Sequence, residues 1–211
     1  VTVFDLKTHE VIKKIAFTNN GEEDIAMNME LDASGGKLYV PAMGAGTLNV
    51  INTGTLENEK TITLHKDVDS AALRPSDVTI DKSLQEIYVS SQGEMDRQSG
   101  VSKGNAGVTV YDLNTGEYKK SIQFGKQTLS ITADEKNDLV YATDFATGKV
   151  GVIDARTGTV SAEVNAGKNG ANDVLVTPEG TAYAVTRDAY AEGIKTDYTI
   201  DPKTGQYRES T

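Results

Sequence analysis

A short apolar run centred on tyrosine recurs four times and constrains the fold more than any other feature of this chain. The tyrosines are about 42 to 53 residues apart, and each run is apolar at consecutive positions. A period in the forties, built from short strands, is typical of a β-propeller. The four runs are Leu38-Tyr39-Val40, Ile87-Tyr88-Val89, Val140-Tyr141-Ala142 and Ala182-Tyr183-Ala184.

A second element recurs in the same order: an apolar pair closed by Asp or Asn, usually followed by a Thr-Gly turn. Two independent patterns with one period make a chance origin implausible. The second element appears as Val3-Phe4-Asp5, Val50-Ile51-Asn52, Val110-Tyr111-Asp112, Val152-Ile153-Asp154 and Thr199-Ile200-Asp201.

Each repeat is interpreted as four antiparallel strands, named a to d. Strand a alternates, strand b carries the tyrosine, strand c ends at the Asp or Asn, and strand d follows the Thr-Gly turn. The sequence therefore predicts an all-β fold, a single partial propeller over 1–211 with about four and a half blades visible. The predicted boundaries are 1–17 for strands c and d of one blade, then blades at 25–64, 76–124, 127–164 and 172–211. The longer repeats are explained by insertions at 92–106 and 187–196.

Composition excludes cysteine chemistry and argues against some other classes of function. The 31 acidic and 21 basic residues give a net charge of −10, which argues against binding to a phosphate backbone. Because the chain has no cysteine, disulfides, thiolate nucleophiles and cysteine metal sites are excluded. No apolar run approaches the ~20 residues that a membrane helix needs.

The residues of strands b and c resemble the repeat motif of a known family. Tyr88-Val89-Ser90 and Tyr141-Ala142-Thr143-Asp144 are similar to the Tyr-Val-Thr-Asn motif of the YVTN β-propeller family, and Lys149-Val150-Gly151-Val152-Ile153-Asp154 to its second element. The motif is imperfect, since Tyr39 is followed by Val40-Pro41-Ala42. The resemblance implies a seven-bladed ring and an exported protein in the periplasm, in the medium or on the cell surface. It implies no single activity. Because an unclosed propeller would leave long exposed strand edges, further blades are expected upstream of Val1.

Elaborated loops indicate where a ligand would bind. Both insertions lie between strands b and c, and the d–a loop from His65 to Ser76 is expected on the same face of the ring. Loops on a rigid scaffold commonly carry recognition, although neutral surface insertions would look the same. The candidate ligand-binding residues on this face are Arg74, Glu94, Asp96, Arg97, Arg187, Asp188 and Tyr190.

Polar residues near the start of strand a in four blades are expected at the channel mouth: Asn28, Asp77, Ser130 and Asp173. Their oxygens suit a hard cation such as Ca²⁺. The alternative is a water-filled channel lining with turn hydrogen bonds, and we favour this interpretation because the sequence has no Asp-rich calcium loop. No other cofactor is indicated.

The sequence favours a non-enzymatic module that binds a protein or a small-molecule ligand through the face carrying the b–c loops. An alternative is an enzyme of the lactonase or hydrolase type with a metal at the channel mouth, and a second alternative is a nucleic-acid binder. Catalysis is disfavoured because the only two histidines, His9 and His65, are predicted on different faces, and no Ser-His-Asp arrangement is evident.

Overall fold

The computed structural model describes residues 1–96, 98–168, 170–187, 198–200 and 207–209. All regular secondary structure in these residues is β-strand, and all the pairing is antiparallel. No helix in this part of the chain is long and apolar enough to cross a membrane.

The chain begins with two small sheets. Strands β1 (Thr2–Phe4) and β2 (Val11–Lys14) form one, and β3 (Thr18–Asn19) and β4 (Glu22–Glu23) form the other. In the predicted register, β1 and β2 correspond to strands c and d of a blade.

Three complete four-stranded blades follow, each with its strands paired in chain order. The first consists of β5 (Glu30–Asp32), β6 (Lys37–Ala42), β7 (Thr47–Asn52) and β8 (Glu57–Thr63). The second consists of β9 (Pro75–Asp81), β10 (Glu86–Met95), β11 (Ser102–Asp112) and β12 (Tyr118–Gln123). The third consists of β13 (Thr128–Asp134), β14 (Leu139–Asp144), β15 (Lys149–Asp154) and β16 (Thr159–Asn165).

Two further strand pairs complete the described residues. Strands β17 (Asp173–Val176) and β18 (Ala182–Val185) form one sheet, and β19 (Tyr198–Ile200) and β20 (Tyr207–Glu209) form another. Pairing of Leu175 with Tyr183 matches the pairing of Thr79 with Tyr88 in the second complete blade, so β17 and β18 correspond to strands a and b.

The hydrophobic core lies between successive blades. Tyr39 is 2% exposed and packs with residues of β9 and β10, while Tyr88 is fully buried in the cluster shared with the third blade. In these two blades, strand b is apolar on both faces because a neighbouring sheet covers each face. Tyr39 and Tyr88 are therefore packing elements, whereas Tyr183 is 64% exposed.

The recurrent Asp or Asn at the end of strand c fixes the turn that follows it. In the second blade, Asp112 Oδ1 accepts hydrogen bonds from the backbone N atoms of Asn114 and Thr115 at 2.9 and 2.8 Å. In the third, Asp154 Oδ1 accepts one from Thr157 N at 2.8 Å. This side-chain mimic of a turn explains why Asp or Asn recurs at the position.

The segment 92–106, which the sequence placed between strands b and c, is a continuation of the ladder. Strands β10 and β11 stay paired outwards to Gln92 with Ala106 and Glu94 with Gly104, and the register shifts before Met95 pairs with Ser102. The second blade therefore carries a projecting β-hairpin.

Candidate functional site

Asn105 joins the projecting hairpin to the loop that precedes β9. Its Oδ1 accepts hydrogen bonds from the backbone N atoms of Asp67 and Val68, both at 2.9 Å. Its Nδ2 donates to the carbonyl oxygens of Val68 and Ala71, at 2.8 and 3.0 Å. All four hydrogen-bonding positions of this buried amide are used, so loop 65–74 is held in one conformation.

Further contacts attach the same two segments. The backbone N atoms of Gln92 and Gly93 donate to the carbonyl oxygens of Arg74 and Leu73, at 3.0 and 2.9 Å. Glu94 Oε2 accepts a hydrogen bond from Ala72 N at 2.9 Å. We call loop 65–74 and hairpin 92–106 together the platform. They form a single unit, because each segment supplies backbone hydrogen bonds to the other.

Two charged side chains of the platform are held by hydrogen bonds within it. Glu94 Oε1 pairs with Lys103 Nζ at 2.8 Å, and this hydrogen bond lowers the pKa of the Glu94 carboxyl. Asp96 Oδ1 accepts hydrogen bonds from Ser99 N and Gln98 N at 2.9 Å, and they lower the pKa of Asp96. Both carboxyl groups therefore carry negative charge at neutral pH at the outer end of the hairpin.

The structure brings only some of the predicted face residues together. Arg74, Glu94 and Asp96 belong to the platform, whereas Arg187 packs over the ring of Phe145, with its guanidinium carbon 5.3 Å from the ring centre. Predicted residues Arg97, Asp188 and Tyr190 lie outside the described residues.

A second polar site lies at the inner ends of the strands a. Ser130 Oγ is 2.9 Å from Asp77 Oδ2 and 2.8 Å from Asp173 Oδ1, so side chains from β9, β13 and β17 meet. Asn28 lines a cavity of about 400 Å³ with both aspartates. Three other residues complete the lining: Met27, Met29 and Asn172.

The two aspartates differ in their surroundings. Asp77 is buried and Asp173 is exposed. Burial raises the pKa of the Asp77 carboxyl, and the charge of Asp173 adds to this, whereas hydrogen bonds from Ile131 N, Val78 N and Ser130 oppose it. Among the residues that the structure describes, no group of three or more His, Cys, Asp or Glu side chains is placed to hold a metal ion.

Sequence reasoning missed Asn105, which organises the platform. Its backbone has a φ of 63°, in the left-handed region where Asn is favoured over most residues. An Asn between Gly104 and Ala106-Gly107 is a weak indication of such a conformation, and nothing local indicates a partner more than 30 residues away.

Comparisons with known proteins identify a fold and no family. No protein-family model matches the chain, and no curated protein matches it. Among solved structures, the chain is similar to Kuenenia stuttgartiensis hydrazine synthase, with a TM-score of 0.62 and 14% sequence identity. The chain is a β-propeller. The likeness covers 76% of this propeller and 42% of that chain, less than half of its length, and at such identity it establishes the fold alone.

Proposed function

We propose that this β-propeller is a non-enzymatic recognition module that binds a protein or a small-molecule ligand through the platform. The observation that carries the proposal is the set of four hydrogen bonds between Asn105 and loop 65–74. A surface that is ordered before binding loses less conformational entropy when a partner docks. The platform has this property, and it projects from one blade of a rigid scaffold.

We also propose that the protein is an exported member of the YVTN type. The support is the sequence resemblance in strands b and c, together with the burial of Tyr39 and Tyr88 between blades. Detection of the protein in the exported fraction of its native cells, by an antibody against this chain, tests the location. Recovery from the cytoplasm alone would contradict it.

The platform is tested by reversing surface charges without changing the net charge. Lys66 and Asp69 are exposed in loop 65–74, and Lys7 and Glu10 are exposed near the turn between β1 and β2, where the predicted register puts the opposite face. We expect a partner captured by the tagged chain to bind the variant Lys7→Glu/Glu10→Lys normally. The variant Lys66→Glu/Asp69→Lys should bind it at least tenfold more weakly.

A partner that binds both variants equally would show that recognition uses another surface. Circular dichroism and the unfolding midpoint of each variant must match those of the wild type, because both changes lie at exposed positions.

A further inference from the structure

Three side chains connect the strands a of three successive sheets. Ser130 on β13 is the central member, with its hydroxyl oxygen 2.9 Å from Asp77 Oδ2 on β9 and 2.8 Å from Asp173 Oδ1 on β17. Both distances are within the usual range for a hydrogen bond between a hydroxyl and an oxygen.

If both carboxyl groups are ionised, the site has too few hydrogen atoms to place one in each of the two contacts of Ser130 Oγ. A serine hydroxyl has one hydrogen, and an ionised carboxylate has none to donate. If Ser130 donates to one aspartate, its lone pairs face the other carboxylate at less than 3 Å. A proton on one carboxyl group supplies the missing hydrogen and makes both contacts attractive.

We propose that Asp77, Ser130 and Asp173 share one proton, held mainly by Asp77, and that its release as the pH rises weakens the junction of the three sheets. Asp77 is the better holder because its carboxyl group is buried, while that of Asp173 is exposed to water. The proposal does not depend on the platform or on its ligand.

The charged groups near Asp77 act in the same direction as burial. Glu30, on β5, is a further carboxyl group whose pKa is raised by burial and then by the charge of Asp77. The hydroxyl of Ser130 on β13 contacts the carboxyl group of Asp77, and that of Ser90 on β10 contacts the backbone carbonyl oxygen of the same residue; neither carries a charge. The two charged groups that interact with Asp77 are Asp173 and Glu30. Both are negative, so both favour the protonated form of Asp77.

The sign of the pH effect follows from linkage. The pKa of Asp77 is raised in the folded protein, so its contribution to stability is complete below the unfolded pKa of about 3.9 and is lost as the pH rises through the folded value. Stability conferred by the junction therefore falls between acidic and neutral pH.

Carbon-13 NMR of the aspartate carboxyl carbons in the whole chain, from pH 3 to 8, tests the shared proton directly. The Asp77 signal is assigned by its loss in Asp77→Asn. We expect its midpoint to lie above the ordinary value of about 3.9 in the wild-type protein. In Asp173→Asn the amide can donate to Ser130, so Ser130 donates to an ionised Asp77. The midpoint should then fall by about one pH unit, a tenfold change in proton affinity.

Glu30→Gln is the matched control, because it removes a neighbouring negative charge without giving Ser130 a donor. A shared proton requires Asp173→Asn to lower the Asp77 midpoint more than Glu30→Gln does. Equal decreases of the Asp77 midpoint in the two variants would show charge repulsion and no shared proton. A wild-type midpoint at or below about 3.9 would overturn the proposal by itself. A midpoint that falls on addition of millimolar Ca²⁺ and recovers with EDTA would overturn it too, because a cation would then join the carboxylates.

Discussion

The phenol oxygen of Tyr111 accepts a hydrogen bond of 2.8 Å from the backbone N of His65, although the two residues belong to successive blades. Tyr111 is buried, and burial raises the pKa of its phenol, so the hydroxyl stays neutral over the physiological range. This contact fixes the point where the chain leaves the first complete blade and enters the platform.

Removal of this hydroxyl should weaken the protein measurably. In Tyr111→Phe the backbone N of His65 loses its acceptor in a partly buried place, which typically costs about 1–2 kcal/mol. Tyr118→Phe is the control, because Tyr118 is 42% exposed and its hydroxyl contacts only Ser121 Oγ among the hydrogen bonds of the described residues. We expect this control to cost less than about 0.5 kcal/mol in urea unfolding. Equal losses would show that the His65 contact contributes nothing.

The junctions between blades are not chemically equivalent at the end of strand a. At the first, Lys82 Nζ from the next blade pairs with Asp32 Oδ1 at 2.5 Å. At the second, the equivalent aspartate is Asp81, and the residue in the position of Lys82 is Glu135. Asp81 is fully buried, and its Oδ2 has no hydrogen-bond partner among the described residues.

Glu135→Lys should therefore stabilise the protein by placing an ammonium group near this carboxylate. A buried polar atom without a partner costs about 1–3 kcal/mol, and we expect a gain of about 1 kcal/mol in the free energy of unfolding. Glu135→Gln separates the effects, since it removes the negative charge and adds no cation. Should the lysine variant prove no more stable than the glutamine variant, the ion pair has not formed.

Gly116 and Gly158 occupy the same position in the Thr-Gly turns of successive blades, and both have a φ of 70°. A Cβ atom on Gly116 would lie 2.7 Å from Cδ1 of buried Ile62, whereas one on Gly158 would meet the flexible end of Lys120. The left-handed backbone costs alanine about 1 kcal/mol at either position. We expect Gly116→Ala to cost about 1–2 kcal/mol more than Gly158→Ala, because a packed core resists an added methyl group. Similar urea midpoints for the two variants would contradict this difference.

The propeller fold was predictable because its repeating elements are local. Tyr39 and Tyr88 each mark a strand with both faces covered, and Asp112 and Asp154 each mark the turn that they stabilise. Such features depend on residues a few positions apart, so they can be recognised in a single sequence. The structure confirms the all-β prediction, and it buries Tyr39 and Tyr88 between blades.

The platform was less accessible to sequence reasoning. Segment 92–106 is rich in Gly and Ser and lacks the apolar alternation that marks a strand, yet β10 and β11 continue through most of it. Its order comes from Asn105, whose partners Val68 and Ala71 are 37 and 34 residues away. Contacts of this kind depend on how the blade and the loop pack, and a single sequence does not record them.

Glu30 should make stability depend on pH in a definite direction. Burial raises the pKa of its carboxyl, and the charges of Asp77 and Asp32 add to the effect. A raised folded pKa means that stability is complete below the unfolded value of about 4.3 and falls as the pH rises through the folded value. Glu30→Gln should therefore be more stable than the wild type at pH 7, by urea unfolding, and the difference should shrink at pH 4. If the difference in stability between the variant and the wild type is the same at pH 7 and pH 4, this linkage is excluded.

The order of the platform should depend on Asn105. Asn105→Ala removes two acceptor and two donor contacts to loop 65–74, and it also places alanine at a φ of 63°. The backbone amides of Asp67 and Val68 should then exchange with deuterium at least tenfold faster, because each loses its acceptor and opens without global unfolding.

Asn105→Gly distinguishes the lost hydrogen bonds from backbone strain. Glycine accepts the left-handed conformation at little cost, so it relieves the strain while it still lacks the amide. If the hydrogen bonds order the loop, exchange at Asp67 and Val68 stays fast in the glycine variant. Recovery of slow exchange in that variant would attribute the effect to strain, and the order of the platform would then have to come from its other contacts, such as that of Glu94 with Ala72.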